Sequence, residues 1–358
     1  MTVVAYNVFM VAMLAVALTV LGWYLRRHST NPGRDGLLIA ALTGVLAVSG
    51  LLGAVFYHGS LFGAAQLLAW GAFLHAPVFL VGIGLLYRSR RPPLATGAFA
   101  LALCLGLVAL DAFLIEPHWL DTTMVEIRSP KLSEPVRVVV LADIQTDRPG
   151  RYEARVLWEA MAQAPDLILL AGDYIHLGRR SGSYEEEMAA LRDLLVAADL
   201  QAPLGIYAIA GNVDRPGLWT EIFAGLPVMT TEETTRYDLG PLVLTSLSMA
   251  DAFGTSVALP PEERYHIVLG HSPNFSLAPV GGDLLVAGHT HGGQVQLPFL
   301  GPLLTLSVVP RGWASGVTEI GWDRWLVVSR GIGMERGAAP RVRFLCRPEL
   351  VIVDLIPG

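Results

Sequence analysis

Three stretches of this 358-residue chain, 2–25, 36–87 and 92–110, contain no Asp, Glu, Lys or Arg. A helix needs roughly 20 apolar residues to cross the hydrocarbon of a bilayer. The middle stretch is long enough for two crossings, with a turn at His58-Gly59-Ser60. The runs predict four transmembrane helices, at about 3–25, 36–57, 61–87 and 94–115. A cleaved signal peptide is the rival for the first run, but that run lacks a basic start and three more spans follow. Charged residues make up only 16% of the chain and mean hydropathy is +0.50, too apolar for an ordinary soluble enzyme. The expected organisation is a four-helix membrane region, 1–120, followed by a domain of water-soluble character, 121–358.

Basic residues in short loops orient such a bundle, because Lys and Arg are retained on the cytoplasmic side. Arg26, Arg27 and Arg34 follow the first helix, and Arg88, Arg90 and Arg91 follow the third; the second loop holds His58 and no Lys or Arg. The N-terminus and everything after the fourth helix are therefore expected outside the cytoplasm. Trp70, Tyr87 and Trp119 read as interfacial anchors. Gln66, His75 and Asp111 are polar positions within the helices. Intramembrane ionisable groups can mark a transport pathway, but one His, one Gln and an Asp near a helix end do not compose one.

From Asp121 onward lie 28 of the 31 acidic and 19 of the 25 basic residues, so this part is net acidic. Nucleic acid is not an expected partner, since it calls for a basic face. Of the two cysteines, Cys104 falls within the fourth helix, which makes a disulfide to Cys346 improbable. Residues 136–142 and 167–171 are continuous apolar runs, as in strands buried on both faces. Helical spacing covers 152–164 and 184–198, a strand is expected at 204–210, and 124–128 alternates like an edge strand. After Asn212 strands dominate, at 242–248, 265–270, 284–288, 316–320, 325–329 and 349–355. The alternation predicts an α/β domain. Arg179-Arg180-Ser181-Gly182-Ser183 reads as a mobile loop.

Each of five buried strands ends in a potential ligand. Asp143 and Gln145 follow the first, Asp173 the second, Asn212 the third, His271 the fourth, and His289 and His291 the fifth. Strand ends of α/β sheets are where polar groups converge on a ligand. Carboxylates, amides and imidazoles together suit divalent first-row metals, and the chain lacks the thiolates a structural zinc site would use. No Ser/His/Asp or Cys/His arrangement offers a protein nucleophile.

In order and spacing these residues resemble the calcineurin-like metallophosphoesterases over 136–295, whose motifs run Asp-x-His, Gly-Asp, Gly-Asn-His-Asp, a lone His and Gly-His-x-His. Ser329-Arg330-Gly331-Ile332-Gly333 and Arg347-Pro348-Glu349 are similar to the membrane-associated bacterial branch. The resemblance implies a four-layer α/β/β/α sandwich, here preceded by four transmembrane helices, in a multi-pass protein of a bacterial cell membrane. It also implies two divalent ions, manganese, iron, zinc or magnesium. Asp143, Gln145, Asp173 and His291 would hold one ion, and Asp173, Asn212, His271 and His289 the other, with Asp173 bridging. The implied reaction is hydrolysis of a phosphoester or pyrophosphate by a hydroxide between the metals. Tethering beside a bilayer favours an amphiphilic substrate, such as a phospholipid, a lipid-linked pyrophosphate or an envelope precursor.

Two positions depart from the pattern: the first-motif His is Gln145, and the third-motif His, implied to contact phosphate and protonate the leaving group, is Val213. Gln145 reads as a ligand or as a hydrogen-bonding neighbour of the ligands. His176, three residues past Asp173, is a candidate replacement acid or an ordinary loop histidine. Asp214 reads as an orienting group or a turn residue, and Arg330 as a phosphate contact or half of an ion pair. The two departures keep a second reading open, a catalytically weak sensor or scaffold that binds a phosphorylated ligand. An alternative substrate, a UDP-2,3-diacylglucosamine-type pyrophosphate, needs a cytoplasmic active site, opposite to the loop charges. A reporter enzyme fused after Gly358 is expected to be active only in an extracytoplasmic assay; cytoplasmic activity would invert the topology.

Overall fold

Asn31 shows how an apolar run becomes a bounded helix. Its side chain accepts from the Gly33 and Arg34 N–H groups at 3.1 and 3.2 Å, and Pro32 stands at the first helical position with φ already set. The second helix therefore begins at Pro32, ahead of the uncharged run, and takes in Arg34 and Asp35. This computed structural model describes residues 2–28, 31–178 and 181–358. Those residues form two compact units, one reaching Leu114 and including Ala338–Pro340, the other comprising Ile115–Gly337 and Arg341–Gly358.

In the first unit, Thr2–Arg27, Pro32–Tyr57, Leu61–Tyr87 and Pro92–His118 are long and apolar enough to cross a membrane; the last runs on past Leu114 into the second unit. Pro77 lacks an N–H and its ring crowds the preceding turn, and the third helix widens into a π-turn over Gly71–His75 just before it. Asp35 is buried and pairs with Arg91 at 3.2 Å. Large apolar side chains such as Val4, Leu37 and Phe56 point outward, an arrangement suited to hydrocarbon surroundings.

The second unit is built on two six-stranded sheets among the described residues. The first orders β1 (Asp121–Ser129), β14 (Glu349–Pro357), β2 (Val136–Leu141), β3 (Leu167–Leu170), β4 (Ile206–Ile209) and β5 (Val228–Thr231). The second orders β12 (Gly316–Gly321), β13 (Arg324–Val328), β9 (Leu284–Ala287), β8 (Tyr265–Leu269), β7 (Leu242–Ser246) and β6 (Thr235–Asp238). A two-stranded hairpin, β10 (Gln296–Leu297) with β11 (Gly301–Pro302), stands apart. Strands β2 to β5 run parallel, as do β7, β8, β9 and β13.

Alternate residues explain the layers, because successive strand side chains face opposite ways. Val138, Val140, Leu167 and Leu169 meet Leu244, Ile267, Leu269 and Val286 between the sheets. Val139, Leu141, Ile168 and Leu170 face the helices Arg151–Met161 and Tyr184–Ala197 through Leu157, Met188 and Leu191. The outer face of the second sheet is covered by less: Val268, Leu285 and Val328 pack against the short helix Met249–Phe253 and the turn Pro273–Leu277. The unit is the expected four-layer sandwich with one thin outer layer. Arg179 and Arg180 of the expected mobile loop lie outside the described residues. Ser183 ends that segment as a helix cap, accepting from Glu186 N–H at 3.2 Å.

Candidate metal centre

Five chain exits meet where the parallel strands end. β2, β3 and β4 deliver Asp143, Asp173 and Asn212 from one sheet; β8 and β9 deliver His271, His289 and His291 from the other. Cross-links hold the exits in register: Asp143 N–H donates to Gly172 O at 3.0 Å, Gln145 N–H to Asp173 O at 2.8 Å and Gly288 N–H to His271 O at 2.9 Å. Both Asp143 carboxylate oxygens accept from His289 N–H at 3.0 Å, bridging the two sheets.

The backbone is strained where it turns the candidate ligands inward. Asp143, Gln145, Asp173, His289 and His291 have φ of 49°, 33°, 59°, 68° and 48°, in the left-handed region that side chains avoid. Each such residue costs on the order of 1–3 kcal/mol and persists only where its surroundings impose it. Two neighbouring glycines are needed for space. A Cβ at Gly211 would lie 2.1 Å from Asp173 Oδ1, and one at Gly288 would lie 2.6 Å from Asp143 Oδ2. Thr290, between the two histidines, anchors the turn by donating to Ala314 O at 2.6 Å.

Ligand-capable atoms of Asp143, Asp173 and His291 all lie within 4.8 Å of one another, and all three residues are buried. Beside them, His271 Nε2 is 3.1 Å from Asn212 Oδ1 and 3.5 Å from Asp173 Oδ2. Asp173 thus faces both groups. His271 Nδ1 is 2.7 Å from Ala171 O, which can only accept, so Nδ1 carries the proton and Nε2 is turned toward the two oxygens. His289 Nε2 likewise donates to Leu306 O at 3.2 Å, leaving Nδ1 for another partner. Phe253 packs on the His289 ring, with centroids 4.7 Å apart.

Electrostatics point the same way. Burial pushes Asp143 up to about 7, with Asp173 adding to the rise and His271 opposing it. Burial alone would raise Asp173 too, but His271 outweighs it and holds its pKa below the ordinary range. Burial would lower His271, yet Asp173 reverses the sign and raises it to about 9. Burial takes His289 down to about 4 and also holds His291 well below the ordinary imidazole range, with His271 adding to the first and Arg343 to the second. The two neutral imidazoles have the protonation state a metal requires. A second proton on His271 marks the point where the oxygens draw positive charge.

Three buried polar atoms test the fit to a metal directly. His291 Nδ1 and Nε2 and Gln145 Oε1 have no hydrogen-bond partner. Orphaned groups of this kind cost about 1–3 kcal/mol each unless something binds them. The donor set of carboxylate, amide oxygen and imidazole nitrogen suits a divalent cation.

Other expectations resolve individually. Gln145 Nε2 lies 3.0 Å from His176 Nδ1, so the structure joins those two, with Glu335 Oε2 3.5 Å from the same ring nitrogen. Val213 contributes only its N–H, to Asp173 Oδ1 at 2.9 Å. Arg330 pairs with Asp121 and Glu349 at 2.9 Å, the ion-pair alternative. Asp214 is an orienting group: it accepts from the N–H groups of Asp173, Tyr174 and Gly211 at 2.8, 2.9 and 2.7 Å.

Glu335, Arg336 and Arg343 carry no local signal in the sequence. They follow β13 in an irregular segment with no periodicity to flag them. Arg336 donates to Gln145 O at 3.0 Å, and Arg343, fully buried, donates to the carbonyls of Arg330, Gly331, Gly333 and Cys346. Arg343 therefore clamps the loop whose Gly333 N–H is bonded to Asp143 O at 2.7 Å.

Such a cluster, at the strand ends of a four-layer sandwich, is the arrangement that the resemblance to the metallophosphoesterases implies. Residues 136–293 match the model of the calcineurin-like phosphoesterase family. Those residues carry a calcineurin-like phosphoesterase domain, which makes the chain a metal-dependent phosphoester hydrolase. It is 29% identical to YkuE, an uncharacterised metallophosphoesterase of Bacillus subtilis, over 67% of this chain and 87% of that protein. The phosphodiesterase YaeI of Escherichia coli is 27% identical, over 67% and 90%. The UDP-2,3-diacylglucosamine pyrophosphatase LpxG of Chlamydia muridarum is 23% identical, again over 67% and 90%.

Replacing Asp214 with Asn puts an N–H₂ group among three N–H donors. Asp214→Asn is expected to destabilise the metal-free protein by about 1–3 kcal/mol, read as a lowered thermal midpoint in detergent. An unchanged midpoint would contradict the orienting role.

Proposed function

We propose that this hydrolase is fixed to a bacterial cell membrane by its four apolar helices. In this reading it cleaves a phosphoester or pyrophosphate bond of an amphiphilic, lipid-linked substrate on the extracytoplasmic side. The observation that carries the reading is the pair of donor groups sharing Asp173. Asp143, Gln145, Asp173 and His291 would hold one divalent ion, and Asp173, Asn212, His271 and His289 a second. Two such ions supply Lewis acidity toward a phosphoryl oxygen and a lowered pKa for attacking water.

The chain's own residues prepare that chemistry. Asp214 aims Asp173, Ala171 O and Leu306 O select the tautomers of His271 and His289, and Phe253 covers one side. His176 accepts from the Gln145 amide nitrogen, which turns Oε1 away as the free donor. We assign His176 this positioning task. The Asn212-Val213 turn then has no proton donor for a leaving group. That favours a substrate whose leaving group departs without protonation, and a phosphoanhydride fits best because phosphate is a stable anion. LpxG is named for such a bond, which supports a lipid-linked pyrophosphate, although the loop charges favour an active site outside the cytoplasm.

Detergent-purified protein with added manganese is expected to hydrolyse bis(p-nitrophenyl) phosphate, and Asp173→Asn to lose at least ~100-fold. Val213→His should accelerate an alkyl aryl phosphodiester with a poor leaving group, toward the roughly 10²-fold of a positioned acid, and leave the nitrophenyl ester little changed. His176→Ala should slow both esters equally. Loss confined to the poor leaving group would make His176 the acid. Absence of turnover in the wild type, with phosphate-analogue binding retained, would favour the sensor reading.

A further inference from the structure

Between the last histidine motif and the next strand, residues 292–310 contain no charged side chain. In a soluble loop of this length that is unusual, because loops are solvated. The structure turns this segment outward. Phe299 is fully exposed, and Leu300, Leu303, Leu304, Leu306 and Val308 are all exposed as well. Single exposed apolar residues are ordinary, whereas a cluster marks a surface that meets another apolar phase.

The base of the segment is anchored while its tip is not. Gln296 N–H donates to Phe344 O and Phe344 N–H to Gln294 O, each at 2.9 Å. On the far side, Asn274 Oδ1 accepts from Ser307 Oγ at 2.6 Å and Val308 N–H at 3.1 Å. The β10–β11 hairpin projects between these anchors, with its turn at Pro298–Leu300 closed by Leu300 N–H on Leu297 O. The same segment touches the metal centre. Leu306 O holds the His289 ring, and a Cβ at Gly293 would collide with Pro302 at 2.6 Å.

We infer that the hairpin and the irregular run after it form an apolar lip of the active site that enters the hydrocarbon of the bilayer. The lip would present the metal centre to phosphates at the headgroup level. Two features select bilayer hydrocarbon as the occupant. Only Trp119 and Leu120 separate the end of the fourth helix from β1, so the catalytic unit is tethered within a few residues of the membrane. The lip also lacks charged side chains that would recognise a protein partner. This inference rests on the membrane reading above and specifies how that substrate class is reached.

The test uses the full chain in phosphatidylcholine proteoliposomes whose acyl chains carry bromine. An environment-sensitive fluorophore is placed at Phe299→Cys in a Cys104→Ala background, where Cys346 is buried. Companion labels sit at Cys104, in the fourth helix, and at Trp158→Cys, on an exposed position of Arg151–Met161. Quenching at 299 and at Cys104, with none at 158, is expected. Quenching at Cys104 without quenching at 299 would overturn the lip. Absence of quenching at both would remove the membrane reading and the lip together. The double variant Phe299→Asp, Leu300→Asp is expected to lose about tenfold on a vesicle-borne acyl nitrophenyl phosphodiester. It should keep its rate on soluble bis(p-nitrophenyl) phosphate, which also reports its fold. Equal rates on the vesicle substrate would overturn the inference.

Discussion

Asp143 and Asp173 are two carboxylates buried with almost no access to water, and the rest of the catalytic unit answers to that fact. Burying charge is expensive unless partners replace the lost hydration. Here the partners are backbone N–H groups, His271, and the positive charge that the geometry invites. The left-handed backbone at five candidate ligand positions is a second cost, tolerated because the sheets on either side fix the strand ends. A site assembled in this way is rigid before any ligand arrives, which is what positioned phosphoryl chemistry requires.

The helical unit presents a different surface. Its helices satisfy their own backbone and turn apolar side chains outward, the arrangement hydrocarbon demands. The catalytic unit keeps one comparable surface, the uncharged segment after His291. That segment carries Leu306, whose carbonyl orients His289, so the parts of the chain suited to lipid and to metal are neighbours in sequence and in space.

Much of this was legible in the sequence because strong physical signals mark it. Uncharged runs gave the four helices, and continuous apolar runs gave β2, β3, β8 and β9 with the candidate ligands just past their ends. β5 and β6 escaped notice because Val228–Thr231 and Thr235–Asp238 are short and half-buried, with mixed polarity. The start of the second helix was misjudged because a cap and a proline, not hydropathy, decide it. The pairing of Gln145 with His176, the three-way clamp by Asp214 and the buried Arg343 depend on contacts between segments distant in sequence. No local pattern encodes those contacts. Asp214 illustrates the limit: its position beside Gly211-Asn212 was visible, but its hydrogen bonds to Asp173 and Tyr174 were not.

The account stands on two metal groups that share Asp173. Metal analysis by mass spectrometry of the full chain, purified in detergent with manganese supplied, is the direct measurement. The account predicts about two ions per chain, and about one after either His289→Ala or His291→Ala, since each serves a different group. Fewer than about one ion per chain in the folded wild type, or no loss in either variant, would contradict it.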